Sequence, residues 1–129
     1  MTELALQKFA VQLLRLRAAP DVIWFHPPNG ESRSARTGGK LKAMGVKPGV
    51  PDLVVVCPGG RVRFLELKTS TGSLSQSQRA FRTLCEFNGA PYEVATTPEE
   101  VESILRGWGA LRSTRMPVLS SRAAEKKAA

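Results

Sequence analysis

The chain is poor in the residues that build sulfur and imidazole metal centres. Its 129 residues include two cysteines and a single histidine. Cys57 and Cys85 have no C-x-x-C spacing and no histidine nearby, so we expect buried free thiols rather than a disulfide or a metal site. His26 is the only histidine, which is more typical of a structural or phosphate-contacting side chain than of a metal ligand.

Long apolar runs are also missing. No stretch reaches the ~18 apolar residues of a membrane span. The amino terminus lacks a signal-peptide pattern, because Glu3 is acidic and Gln7, Lys8 and Gln12 interrupt the apolar positions. Gly59-Gly60 is not followed by Lys-Ser/Thr, so it does not indicate a phosphate-binding loop. We therefore expect no membrane partner and a reducing, cytoplasmic setting.

Negative charge is scarce compared with positive charge. The net charge is +8, from 19 lysines and arginines against 11 acids. Such an excess favours a polyanionic partner, although charge alone would also fit a membrane surface. One basic segment without acids runs from residue 33 to 47, with Arg33, Arg36, Lys40, Lys42 and Lys47. We expect these side chains to contact the DNA backbone, and simple solvation is the alternative.

The sequence from residue 49 to 68 predicts a β-hairpin. Leu53–Cys57 is an unbroken apolar run, which is typical of a strand covered on both faces. Pro51 has no N–H for a sheet ladder and so belongs where this strand starts. The turn Pro58-Gly59-Gly60 predicts a three-residue loop, a type I turn closed by a left-handed glycine at position 60.

The length of this turn sets the register of the hairpin. A three-residue loop pairs Cys57 with Arg61, and the same count places Asp52 directly opposite Glu66. Opposed side chains have Cβ atoms about 4.5–5.5 Å apart. Lys68 lies two residues after Glu66 and shares its face. The sequence therefore brings two carboxylates and an ammonium group together at one strand end.

This arrangement indicates a particular chemistry. Two close carboxylates repel each other, and their burial is costly unless a cation joins them. Mg²⁺ prefers oxygen ligands and needs only one or two carboxylates besides water and substrate phosphate. Lys68 would then orient or deprotonate a water, or hold a phosphate oxygen. The combination suits phosphodiester hydrolysis.

The rest of the chain predicts an α/β fold with a mixed sheet of about four strands flanked by helices. We expect helices at 2–18, 75–88 and 97–106, strands at 22–26, 53–57, 61–69 and 91–96, and a long loop at 27–50 with a helical turn near 40–44. The last strand should run parallel to the strand at 61–69. We assign one domain to residues 1–108 and a basic, flexible tail to residues 109–129.

These residues resemble a known nuclease superfamily. Pro51-Asp52 with Glu66-Leu67-Lys68 looks like the motif of the PD-(D/E)XK nucleases, whose core is that of restriction endonucleases. The flanking residues are similar to the VRR-NUC branch of that superfamily: His26-Pro27-Pro28-Asn29-Gly30, Gly49-Val50-Pro51-Asp52 and Leu74-Ser75-Gln76-Ser77-Gln78. The resemblance covers nearly all of residues 1–108.

The resemblance implies roles for particular residues. Asp52 and Glu66 would bind Mg²⁺ or Mn²⁺, with Glu3 and the Leu67 carbonyl as further ligands, and Lys68 would position the attacking water. Gln78 would lie near the metal or the scissile phosphate. From the residues alone, Glu3 also fits an acid at a helix N-terminus, and Ser75 with Gln78 fits a capping box. The cut would leave a 5′-phosphate and a 3′-hydroxyl.

The same resemblance bears on substrate and partners. Stand-alone members resemble Holliday-junction resolvases, so we expect four-way or other branched DNA as substrate. A homodimer would supply the paired active sites. The setting would be the cytoplasm of a bacterium or of a phage-infected host cell. Two alternatives remain open: a DNA-binding module without catalysis, and a nuclease subunit of a larger phage or restriction system.

Overall fold

A computed structural model describes residues 1–28 and 35–113, except for the side chains of residues 35 and 36. Its elements are α1 (Glu3–Arg17), β1 (Ile23–Phe25), α2 (Ala35–Ala43), β2 (Leu53–Cys57), β3 (Arg61–Leu67), α3 (Gln76–Asn88), β4 (Tyr92–Ala95) and α4 (Pro98–Gly107). The strands form one sheet in the order β1-β2-β3-β4, parallel between β3 and β4 and otherwise antiparallel. The predicted α/β fold with a mixed four-stranded sheet is confirmed.

The core lies on one face of the sheet, under α1 and α4. Leu53, Val55, Leu65 and Leu67 alternate along β2 and β3, and all four are buried. The helices contribute residues at helical spacing, namely Leu6, Ala10 and Leu14 from α1 with Val101 and Leu105 from α4. Among the described residues, no helix has the length and apolar character needed to cross a membrane.

The second face of the sheet is only partly covered. Helix α3 lies over β3 and β4, where Phe81 contacts Phe64 edge-to-face at 5.2 Å between ring centroids and also contacts Tyr92. Val54 and Val56 on β2 are half-buried. The expectation that β2 is covered on both faces was therefore wrong, because α3 reaches only the other half of the sheet.

The hairpin has the predicted register. Cys57 pairs with Arg61 and Leu53 with Leu65. Gly60 has the expected positive φ, of 73°, but Gly59 also has a positive φ, of 92°. Proline followed by glycine at the centre of a turn favours type II, in which the second position needs φ above zero. The type I assignment was therefore wrong, while the loop length and the register remain as predicted.

Two boundaries differ from the sequence interpretation. Helix α2 runs through Gly38 and Gly39. The sequence predicted only a helical turn after these residues, since each glycine costs about 1 kcal/mol in a helix interior. At the carboxyl end, Ala110 and Leu111 are buried, and the Arg112 N–H donates to the Arg17 carbonyl at 2.8 Å. The packed domain thus extends past residue 108.

The remaining boundaries and the cysteines agree closely with the sequence. Strand β1 is one residue shorter at each end than expected. Cys57 and Cys85 are buried free thiols, as predicted. Residues 114–129 lie outside the described part of the chain, so the flexible tail stays a prediction.

Candidate active site

Asp52 and Glu66 meet where the hairpin opens. Asp52 directly precedes β2, and the register of the hairpin, continued by one pair, sets it against Glu66 on β3. The Leu67 N–H donates to Asp52 Oδ2 at 2.7 Å, which fixes the side chain against β3. The two carboxyl groups are close enough that the charge of Asp52 raises the pKa of Glu66. The structure therefore brings together the two acids that the sequence paired.

Glu66 is the most deeply buried acid of the site. Its relative exposure is 2%, and its Oε1 is buried without a hydrogen-bond partner in the described part of the chain. Burial, and then the charge of Asp52, raise the pKa of Glu66 to about 8, although the Lys68 ammonium opposes this rise. Burial also raises the pKa of Asp52, against the effect of the Leu67 N–H. Both shifts favour a protonated acid over two adjacent carboxylates in the metal-free site.

Gln78 joins the start of α3 to this pair of acids. Its Oε1 accepts from the Ser75 N–H at 2.8 Å, and its own N–H donates to Ser75 Oγ at 3.2 Å, which completes a capping box. Its Nε2 donates to Glu66 Oε2 at 2.9 Å. The sequence suggested both a capping role and a role at the site for Gln78, and this one side chain makes both contacts.

A pocket of about 280 Å³ opens over these groups. Its walls include Glu3, Asp52, Glu66, Ser77 and Gln78. Glu3 is exposed in the first turn of α1, and its charge contributes to the raised pKa values of Asp52 and Glu66. In the described residues no three His, Cys, Asp or Glu side chains form a metal-binding group. The ligand roles of Glu3 and of the Leu67 carbonyl stay predictions.

A glycine sets the distance between two walls of the pocket. Gly49 has a φ of 85°, and a Cβ at this position would lie 2.4 Å from the Ser77 carbonyl oxygen. No side chain fits that gap, because real Cβ atoms essentially never approach so closely. The segment that leads into Asp52 therefore packs its backbone directly against the first turn of α3.

Lys68 is close to the two acids, and the residues of the basic segment that the structure describes are exposed. Lys68 directly follows β3, its N–H donates to the Ala95 carbonyl at 3.0 Å, and its ammonium is near enough to lower the pKa of Glu66. Lys40 and Lys42 are exposed in the last turn of α2, and Lys47 is exposed beyond it. Arg36 belongs to α2 with its side chain undescribed, and Arg33 lies outside the described residues.

His26 makes a contact that the sequence analysis missed. Its Nδ1 lies 2.6 Å from the main-chain oxygen of Asp52. The signal that could have revealed it is the pairing of β1 with β2, in which Phe25 lies opposite Val54. His26 therefore directly follows the last pair between β1 and β2, and it lies beside the start of β2.

The fold and the paired acids define the class of the molecule, a nuclease-type α/β domain. A model of the VRR-NUC domain family matches residues 32–98, half of the chain. The chain belongs to the VRR-NUC family, in agreement with the resemblance seen in the sequence and with membership of the PD-(D/E)XK superfamily. Its domain is of the kind that processes DNA.

Solved structures share the fold. One described as a VRR_NUC domain protein superposes with a TM-score of 0.66 at 21% identity, covering 82% of this chain and 86% of the other. A second, described as a VRR_NUC domain, has a TM-score of 0.56 at 21% identity and covers 84% of this chain and 99% of its own. No curated protein matches the chain.

Proposed function

We propose that the protein is a divalent-metal-dependent endonuclease that hydrolyses DNA phosphodiester bonds, with four-way or other branched DNA as its substrate. The observation that carries this proposal is the oxygen Oε1 of Glu66, which is buried without a hydrogen-bond partner in the described residues, beside a second carboxyl group. Such an arrangement destabilises the ionised site unless a cation is bound.

The residues present fit Mg²⁺ or Mn²⁺. Asp52 and Glu66 offer hard oxygen ligands, and Mg²⁺ needs no more than one or two carboxylates when water and phosphate complete its coordination. In this proposal Glu3 and the Leu67 carbonyl are further ligands. The ion would supply positive charge to polarise the phosphate and to acidify a bound water.

The chain's own groups divide the remaining work. Lys68 orients the attacking water and offsets negative charge, and Gln78 holds Glu66 through its Nε2 contact. The exposed basic side chains of α2 and the segment after it contact the DNA backbone, which gives binding without reading the sequence. Cleavage leaves a 5′-phosphate and a 3′-hydroxyl.

A homodimer forms part of the proposal. Cutting a four-way junction symmetrically requires two sites, and each chain carries one. An exposed apolar surface supports pairing, because Leu84 and Phe87 on α3 are 62% and 87% exposed beside an apolar groove lined by Val62 and Phe64. We place the protein in the cytoplasm of a bacterium or of a phage-infected host cell. Sedimentation in solution tests the dimer, and a strict monomer contradicts symmetric junction cutting.

The main experiment is a cleavage assay of the purified chain. Four-way junction, flap, duplex and single-stranded DNA are each incubated with Mg²⁺, Mn²⁺ or EDTA. We expect metal-dependent cutting, fastest on branched DNA, and a loss of at least about 100-fold in Lys68→Ala because the water is no longer oriented. Asp52→Ala and Glu66→Ala should also abolish cutting while the domain stays folded. Normal activity in Lys68→Ala contradicts the proposal.

The exposed basic residues Lys40, Lys42 and Lys47 also suit a DNA-binding module without catalysis. The same assay separates the two functions. A binding module would retain DNA with strong salt dependence and would show no cutting with either metal.

A further inference from the structure

The start of β2 lacks a donor that an ordinary sheet would supply. In the antiparallel pairing of β1 with β2, Phe25 lies opposite Val54. Two residues further, the same register sets Pro27 opposite Asp52. Proline has no N–H, so the β1 backbone cannot donate to the Asp52 carbonyl from that position. The ladder of β1 ends at Phe25 and Val54 and does not continue to Asp52, the residue on which the candidate site depends.

The imidazole of His26 fills this position. Its Nδ1 lies 2.6 Å from the Asp52 main-chain oxygen. A carbonyl oxygen can only accept, so Nδ1 carries the proton and donates it. The side chain of the preceding residue thus takes the place of the missing backbone donor of Pro27.

Asp52 is consequently held from both neighbouring strands. From the β3 side, the Leu67 N–H donates to its carboxylate at 2.7 Å. From the β1 side, His26 donates to its main-chain carbonyl at 2.6 Å. One contact orients the side chain and the other orients the peptide that carries it. Partners of this kind around a metal ligand commonly contribute about 10–100-fold to metal affinity.

We propose that His26 is a positioning residue, which holds the Asp52 peptide so that the carboxylate faces Glu66 in the geometry that a divalent ion requires. This inference rests on the proposed function, because it assumes that Asp52 is a metal ligand. His26 itself binds neither metal nor substrate in this role, and it acts only through Asp52. Its side chain is exposed, so packing contributes little to its effect.

The test compares two substitutions. His26→Asn places an amide nitrogen where Nδ1 lies, and His26→Leu keeps similar bulk without a donor. Mn²⁺ affinity is measured by titration calorimetry, and Tm is measured in EDTA. We expect His26→Leu to weaken Mn²⁺ binding about 10–100-fold, while His26→Asn stays within a few-fold of the wild type. Equal affinity in all three proteins, or an equal loss in both variants, overturns the inference.

A double-substitution cycle shows whether His26 acts through Asp52. In the Asp52→Ala background, His26→Leu should cause no further loss of Mn²⁺ affinity, because the group that it positions is gone. A full second loss overturns the inference. If His26→Leu does not fold, His26→Gln replaces it, since the amide of glutamine lies one carbon farther from the backbone than that of asparagine. Wild-type Mn²⁺ affinity in His26→Gln would then overturn the inference. Failure of the wild type itself to bind Mn²⁺ overturns the proposed function and the inference together.

Discussion

Helices α3 and α4 begin with the same local device. The hydroxyl of Ser75 accepts from the Gln78 N–H at 3.2 Å, and that of Thr97 accepts from the Glu100 N–H at 3.1 Å. In each helix, the side chain three residues after the cap also accepts a hydrogen bond from the residues at the helix start. Gln78 Oε1 accepts from the Ser75 N–H, and Glu100 Oε1 accepts from the N–H and hydroxyl of Thr96.

The two starts differ in what this third residue can do besides capping. The Gln78 amide has a donor end, and with its oxygen fixed by Ser75 that end contacts Glu66. Glu100 has only acceptors, and hydrogen bonds from Thr96 hold the pKa of its exposed carboxyl below the ordinary value. An amide at this position can therefore cap a helix and bind a carboxyl group, whereas a carboxylate can only cap.

Exchanging these two side chains tests the difference most directly. Gln78→Glu keeps the oxygen that accepts from Ser75 but replaces the donor to Glu66 with negative charge. We expect Mn²⁺ affinity and the cutting rate to fall by about 10–100-fold. The matched change Glu100→Gln should leave both within twofold, since the Glu100 carboxylate accepts hydrogen bonds from Thr96 and makes none with the two acids. Similar effects of the two exchanges on Mn²⁺ affinity and cutting would contradict the role of Gln78.

The pH dependence of stability should also distinguish Glu66, at the candidate site, from Glu100, at the start of α4. The pKa of Glu66 is raised from 4.5 to about 8 in the folded protein. Between these values the folded state holds a proton that the unfolded state has lost, so stability falls as pH rises through this window. Glu100 has a lowered pKa, so its contribution is fully present across the window and disappears only at lower pH.

We therefore expect Tm in EDTA to decrease between pH 5 and pH 8. At about 1.4 kcal/mol per pH unit the full effect would be about 4 kcal/mol, and with solvent screening we expect about half of it, or roughly 8 °C for a domain of this size. Thermal denaturation of the wild type and of Glu66→Gln measures it, and the variant should show a much flatter profile. A wild-type Tm that stays constant over this range would mean that Glu66 ionises normally.

The smallest effects should come from the cap hydroxyls. Ser75→Ala and Thr97→Ala should each cost about 1 kcal/mol, because each removes one acceptor at a helix start. Only Ser75→Ala should also slow cutting, by a few-fold, since it loosens the turn that holds Gln78. Chemical denaturation and initial cutting rates measure the two properties. Equal cutting rates for the two variants would show that the cap of α3 does not affect the candidate site.

Local chemistry explains what the sequence could predict. The hairpin register follows from the length of the Pro58-Gly59-Gly60 turn, and the same parity places Asp52 against Glu66. Both helix caps are also readable, because each depends on residues three apart. These features are determined by neighbours along the chain, so a single sequence contains them.

The missed features depend on contacts between distant segments. His26 meets Asp52 only because β1 pairs with β2. The resemblance predicted Gln78 near the site, but its particular partner, Glu66, could not be read from the sequence. The burial of Leu111 beside the end of α1 has no local signal either. Helix α2 continues through two glycines that intrinsic propensity disfavours. Such features emerge once the sheet and its helices are assembled.

The absence of a side chain at Gly49 has a consequence for which parts of the protein can change in sequence. The close approach of Gly49 to the Ser77 carbonyl sets the separation between the residues that lead into β2 and the first turn of α3. In the proposed nuclease, we expect replacements of Lys40, Lys42 or Lys47 to change DNA affinity while the separation between the entrance to β2 and the start of α3 stays the same. The proposed DNA contacts and the proposed metal site would thus be able to change independently of each other.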